Sequence, residues 1–492
     1  MSFKSVLSKL PDTTTENNSP AYSSTSSFVL DMFSRMGAMR NSDPSEVVEL
    51  FKKAYQEDRS LALKCLFYVR DIRMGQGERN VFRIILKSDI ISPEILKQLV
   101  PFIGELGRFD DLLSLPVSMI VDYIQHQLYS DSMNEPDRPV SLLAKWLPSE
   151  NTSCKNTVKK ARELIKALGM TPKNYRLALS TLRKRIKIVE TNLAQNTIND
   201  IEYSKVPSKA MLKYRKAFSR RDEERFNEFI QQVKEKKVKI NTGTIQPYEI
   251  VKKLLQDEWG FGGSCVENDP VLEEIWKNLP DKINERNQNA IVMADVSGSM
   301  FTADQLPICN SIALAIYFAE RNQLNTFKNC FLTFSEDPQF VEINPKLSLM
   351  DKIDGISKAK WGYNTDLNKA FKMILKRCVD GNVLPEDMPK ILYIISDMQF
   401  DDCGKDRTNF EEIEKQYKKA GYTRPHIVFW NVNAHDNSPV KKDENGVTLV
   451  SGYSSNTFNF VVEGKTPYEF MMGVLGIKRY RFVDESLKKV NQ

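Results

Sequence analysis

Near residue 286 the hydrophobic pattern of this chain changes its period, and that switch constrains the fold more than any other feature. Upstream, apolar residues recur at helical spacing. Val47, Val48, Leu50, Phe51 and Tyr55 follow the cap-and-proline signal Ser42-Asp43-Pro44. Leu61, Leu63, Leu66 and Phe67 line the inner side of a second helix, and Met74-Gly-Gln-Gly77 interrupts the chain before a third begins at Glu78. The spacing predicts further helices over 93–104, 116–130, 139–147, 155–168, 172–190, 207–235 and 246–258. Helix after helix with short breaks describes a HEAT-like array or α-solenoid, although no fixed sequence period accompanies the rhythm.

Downstream, short apolar runs over 290–294, 330–334, 390–396 and 426–432 alternate with helical stretches over 306–321, 367–379 and 410–420, and a helix over 467–475 closes the chain. Such runs are strands buried on both faces, which implies a doubly wound, Rossmann-like parallel sheet. A length of 492 residues fits more than one core. The expected organisation is a disordered tail over 1–26, rich in Ser, Thr, Asn and Pro, then a helical domain over 27–285 and an α/β domain over 286–492.

Nothing in the sequence approaches a run of about 18 apolar residues, and the first 20 residues lack a secretory signal. The seven cysteines (65, 154, 265, 309, 330, 378 and 403) never form a C-x-x-C pair, which points to free thiols in a reducing compartment. Cytoplasm is the expected location, with nucleus or, for a virus-encoded chain, virion as alternatives. No membrane partner is expected. Only His126, His426 and His435 are present, which excludes H-E-x-x-H zinc chemistry.

The chemistry concentrates at Asp295-Val-Ser297-Gly-Ser299, a tight turn directly after a buried strand. Thr365, in Gly362-Tyr-Asn-Thr365-Asp366, offers another oxygen from a second loop, and Asp397, after Ile394-Ile-Ser396, offers a second carboxylate. Both acids fall at the carboxyl ends of strands, where open α/β sheets bind ligands. Hydroxyls and carboxylates without His or Cys suit a hard cation, Mg2+ or Mn2+. An outside carboxylate or phosphate can complete such a shell. This pattern resembles the metal-ion-dependent adhesion site of von Willebrand factor A domains: D-x-S-x-S, then Thr, then Asp. Asp295, Ser297, Ser299, Thr365 and Asp397 match it in order. The resemblance implies that the two serines and Thr365 contact the metal directly and that the aspartates act mostly through water.

A helical half joined to such a domain resembles the layout of the Ro autoantigen, or TROVE, proteins, which bind structured and misfolded RNA. Two strings, Arg70-Asp-Ile-Arg73-Met-Gly-Gln-Gly77-Glu78-Arg79 and Ile201-Glu-Tyr203-Ser-Lys-Val-Pro207-Ser-Lys-Ala210-Met-Leu-Lys-Tyr214, resemble domain of unknown function 2828. That family occurs in plants, fungi and large DNA viruses, and no activity comes with its name.

Charge is segregated as well. Residues 151–240 hold 23 Lys+Arg against 9 Asp+Glu, a net of +14, while the remainder carries −8. Such a segment is the footprint of a polyanion binder or a solvated helical face. The candidate RNA contacts are Arg183, Lys184, Arg185, Lys187, Lys205, Lys209, Lys213, Lys216 and Arg220. Residues 209, 213, 216 and 220 share one helical face. Tyr203, Tyr214 and Phe218 lie between them, as core residues or as base-stacking platforms. Gly260-Phe-Gly262-Gly263 lacks the Lys-Ser/Thr of a phosphate loop and reads as a connector. Arg70, Asp71, Arg73, Glu78 and Arg79 are expected to form salt bridges that lock two helices.

Three functions follow. The first is a non-enzymatic protein that binds RNA through its helical half and a carboxylate-bearing protein through Mg2+. The second is a metal-dependent protein scaffold without nucleic acid. The third is a Mg2+-dependent phosphohydrolase with Asp295 as nucleophile. It is disfavoured because Ser297 stands where a second Asp would serve as acid/base.

Overall fold

The computed structural model describes residues 11–135, 138–255, 269–283, 289–301, 305–322, 327–334, 338–357, 367–400 and 409–490. The chain forms two compact units. The first joins 1–69 and 74–78 to 242–477, and the second joins 70–73 and 79–241 to 478–492. The division therefore differs from the expected cut at 285/286. Helices at Phe28–Arg35, Pro44–Glu57, Pro247–Leu255 and Pro270–Lys277 belong with the sheet.

A further departure comes at the N-terminus, where the expected disordered tail is ordered from residue 11. Strands β1 (Thr13–Thr14) and β2 (Pro20–Ala21) form an antiparallel hairpin, and Tyr22 bridges to Ser438. Thr15, Ser19 and Thr25 are buried, so short hydroxyl side chains with the composition of a solvated tail serve as internal hydrogen-bonding groups. Ser27 then caps the helix Phe28–Arg35, its side chain accepting from the Leu30 amide.

The first unit is built on six strands: β3 (Ala290–Asp295), β4 (Cys330–Phe334), β5 (Gln339–Glu342), β6 (Ile391–Ser396), β7 (His426–Asn431) and β8 (Val447–Ser451). Their order is β5-β4-β3-β6-β7-β8, all parallel except β5, which runs antiparallel to β4. Every residue of β3, β6, β7 and β8 is buried, which explains the unbroken apolar runs. One face packs Ile291, Leu392, Ile394, Ile427 and Phe429 against Leu367, Phe371, Ile413 and Tyr417 of two covering helices. On the other face Tyr393 and Trp430 close around Phe458, at ring-centroid distances of 5.1 and 5.0 Å. The helix Leu306–Arg321 is buried continuously from Leu306 to Ala319. From β3 the chain goes one way to β4 and the other way to β6, so their carboxyl ends form the switch point of the sheet.

The second unit is helical, with principal helices Pro93–Leu106, Val117–Met133, Lys155–Ala167, Pro172–Ile186, Ser208–Arg221, Glu223–Lys234 and Phe482–Val490. Two expected single helices are each split. Lys187, in the left-handed region at φ 53°, ends one at Ile186, and Asp222 breaks the other after Arg221. Of the five residues near Gly77 expected to form salt bridges, Arg70, Asp71 and Glu78 do so, to partners far along the chain, while Arg73 donates to the Glu105 carbonyl at 3.1 Å. Buried Arg70 pairs with buried Asp111 at 2.7 Å, and Asp111 also accepts from Arg83 at 2.6 Å. Asp71 pairs with Arg479 and accepts from Tyr480 at 3.2 Å, which ties the C-terminal helix into this unit. Glu78 pairs with Arg40 at 2.7 Å inside the sheet unit. Gly107 makes the Arg70–Asp111 pair possible, because a Cβ there would lie 2.7 Å from Asp111 Oδ2 and 2.9 Å from Arg70 Nε.

Candidate metal centre

Strand ends bring Asp295 and Asp397 to the switch point. Asp295 closes β3 and is fully buried; Oδ1 accepts the Ser297 amide at 2.9 Å and Oδ2 the Ser396 hydroxyl at 2.6 Å. Ser396 is the last residue of β6, and its Oγ accepts the Met398 amide at 3.0 Å, so the two strand ends are tied side chain to backbone. Asp397 follows immediately. Its Oδ1 accepts the Gln399 amide at 3.2 Å, whereas its Oδ2 is buried without a hydrogen-bond partner among the described residues. Met398 turns the chain with φ 65°, an uncommon conformation for a residue with a side chain. Ser297 and Ser299 sit on the turn after β3 with hydroxyls 3.1 Å apart. Thr365 lies outside the described residues, as do the whole 362–366 string, the 260–263 connector, Cys265 and Cys403.

Among the described residues neither carboxylate has a Lys or Arg ion-pair partner. Burial, reinforced by the charge of Asp397, pushes the Asp295 carboxyl up to about 7, against hydrogen bonds from Ser297 and Ser396. Burial likewise raises Asp397; Ser299, the Gln399 amide and His435 oppose that rise, and the charge of Glu16 adds to it. Two buried acids this close disfavour each other's ionised form unless something positive lies between them. The donors on offer are all oxygens. No group of three His, Cys, Asp or Glu gathers among the described residues, so any cation here must draw on the serine hydroxyls. The orphaned Asp397 oxygen, the paired hydroxyls and the uncompensated acids fit a hard divalent cation.

The structure brings four of the five expected metal residues together and adds Ser396 and Gln399, which hold the two acids; His435 and Glu16 act on Asp397 only through their charge. Ser396 is readable in the sequence as the hydroxyl before the strand-end acid. Glu16 carries no such signal, because its segment has the composition of a tail.

The nine basic candidates belong to the helical unit and divide into two groups. Arg183 donates to the carbonyls of Ala144 and Leu147 and to Ser149, each at 2.9 Å. Arg185 donates to the carbonyls of Asp131, Glu135 and Arg138. Both candidate RNA contacts thus spend their guanidinium groups as clasps between segments of the unit. Lys184, Lys187, Lys205, Lys209, Lys213, Lys216 and Arg220 are exposed, with 209, 213, 216 and 220 along the helix Ser208–Arg221. Lys205 pairs with Glu202 at 2.8 Å. Tyr203 and Phe218 are core, packed with Phe226 and Phe229, while Tyr214 is half-buried with Lys213 over its ring.

Comparison with known proteins divides the chain at residue 289, a different place from the boundaries of the two compact units. Residues 15–86 and 150–289 match the family model of domain of unknown function DUF2828. Residues 289–472 match that of domain of unknown function DUF7788. The chain is also similar to the uncharacterized protein L728 of Acanthamoeba polyphaga mimivirus, 27% identical over 514 residues that cover 94% of this chain and 86% of that protein. No helix among the described residues is long and apolar enough to cross a membrane.

The buried acids generate a pH prediction for the metal-free protein. The folded state holds the Asp295 proton up to about pH 7, whereas the unfolded chain releases it near 3.8. The associated stability is therefore full below 3.8 and is lost as pH rises through about 7. Asp295→Asn should remove that loss. Thermal melts without metal should show the variant matching wild type in acid and exceeding it by several degrees above neutrality; a constant difference at all pH values would contradict the assignment.

Proposed function

We propose that this chain is a non-enzymatic binding protein whose sheet unit takes a divalent cation, Mg2+ or Mn2+, at the Asp295–Asp397 edge and uses it to hold an anionic partner. The observation that carries this reading is Asp397 Oδ2, a buried carboxylate oxygen without a hydrogen-bond partner among the described residues, beside a second buried acid. A carboxylate left this way is costly, and a cation, directly or through water, removes the cost. In this reading Ser297 and Ser299 offer hydroxyl oxygens, with Thr365 expected to add another. Asp397 supplies charge. Asp295, held through both oxygens by the Ser297 amide and the Ser396 hydroxyl, fixes the turn that presents the serines. The cation, when bound, attracts an anionic oxygen from outside, and a protein carboxylate suits it. The reversal of strand order at β3 and β6 agrees with the resemblance to von Willebrand factor A domains.

Asp295 is a poor nucleophile as held. It has no exposed surface and both its oxygens are engaged, which weighs against the phosphohydrolase alternative. Saturating Mg2+ at a hundred times its Kd should stabilise the protein by about 2.7 kcal/mol. Melting temperature should rise with Mg2+, fall back with chelator, and stay flat for Asp397→Asn. A wild-type melt indifferent to millimolar Mg2+ and Mn2+ would refute the site.

A second reading concerns the helical unit, in which exposed Lys209, Lys213, Lys216 and Arg220 follow one helix face and form a track for a phosphate backbone. RNA, structured or misfolded, is the ligand that the Ro-like layout suggests. The alternative, a scaffold without nucleic acid, uses the same charges on acidic protein surfaces. Changing all four residues to Glu should weaken RNA binding and lower the salt slope by about 1 for each phosphate that the variant no longer neutralises. RNA affinity and salt slope equal to wild type in the folded variant would favour the scaffold.

A further inference from the structure

The N-terminal segment, for all its tail-like composition, grips the loop that carries Asp397. Buried Thr15 donates its hydroxyl to the Phe400 carbonyl at 2.6 Å, the Glu16 amide donates to Gln399 Oε1 at 2.7 Å, and Asn17 Nδ2 donates to the Gln399 carbonyl at 2.8 Å. The Gln399 amide in turn holds Asp397 Oδ1. One residue, Gln399, thus fastens the hairpin on one side and the acid on the other. Between the two, Glu16 Oε1 lies 3.2 Å from His435 Nδ1, and the Glu16 side chain is mostly exposed at 66%.

We propose that Glu16 is this chain's own carboxylate ligand for the divalent cation, so that the N-terminal hairpin fills the position an outside carboxylate would take. The inference rests on reading the Asp295–Asp397 edge as a cation site. Two observations carry it. The backbone of residues 15–17 is pinned at the residues directly following Asp397, so the Glu16 carboxylate is delivered without ordering a new segment. Among the described residues Asp397 keeps a buried oxygen without a hydrogen-bond partner. The His435 contact then parks Glu16 when the cation is absent. A partner's carboxylate must displace Glu16, so the hairpin sets the threshold for partner binding.

The test compares the full chain with Glu16→Gln, Asp397→Asn and His435→Ala, with Mg2+ alone as the probe. Titration calorimetry gives affinity, and hydrogen exchange reports on residues 11–22. Loss of the Glu16 charge should weaken Mg2+ on the order of tenfold, in the range seen when a group supporting a metal site is removed. His435→Ala should leave affinity unchanged or tighter, because it removes only the parking partner. Mg2+ should slow exchange in residues 11–22 of wild type and not of Glu16→Gln. If wild type binds Mg2+, Asp397→Asn loses it and Glu16→Gln binds as wild type does, the Glu16 assignment is overturned and the cation site stands. If wild type binds no Mg2+ at all, both fall.

Discussion

Everything at the switch point depends on two carboxylates held out of water at the ends of neighbouring strands. Asp295 and Asp397 belong to β3 and the residue after β6, and the parallel pairing of those strands leaves them no way to separate. The surroundings answer part of the charge problem with hydrogen bonds: the Ser297 amide and Ser396 hydroxyl on one acid, the Gln399 amide on the other. Those donors are neutral, and charge-assisted bonds from neutral donors do not cancel two buried charges. Met398 in the left-handed region and the Asp397 oxygen without a hydrogen-bond partner among the described residues are the two local departures from an ordinary strand end.

The helical unit solves its own charge problem in a different way. Asp111 is as buried as Asp295, but it receives Arg70 and Arg83, together with the Arg108 amide at 3.0 Å. Asp71 has Arg479 and Tyr480. In both cases a guanidinium supplies what the switch-point acids lack. The contrast separates buried acids paired with guanidinium groups from buried acids held by neutral donors alone.

The sheet is legible in the sequence because a parallel strand covered on both faces is apolar along most of its length, and the 290–294, 330–334, 390–396 and 426–432 runs are, with polar residues such as Lys390, Ser396, His426 and Asn431 falling at or next to their ends. β5 is not legible, because only alternate residues of an edge strand are sheltered. β8 carries a signal, Val447-Thr-Leu-Val-Ser451 after Gly446, that a long polar loop beside it obscures. The acids and serines of the candidate site are readable from order and strand context. Glu16 is not, since its placement comes from a backbone contact 383 residues away along the chain. The basic segment is readable as a charge surplus but not residue by residue. Whether an arginine faces solvent or clasps carbonyls, as Arg183 and Arg185 do, depends on which loops pack beside it.

The central claim is that the Asp295–Asp397 edge is a cation site, and diffraction from crystals soaked in Mn2+ tests it most directly. The account predicts one anomalous peak bounded by Ser297, Ser299 and Asp397, with the Glu16 carboxylate turned toward it from His435. A map with no peak at that edge, with Asp397 Oδ2 still buried and alone, would contradict it.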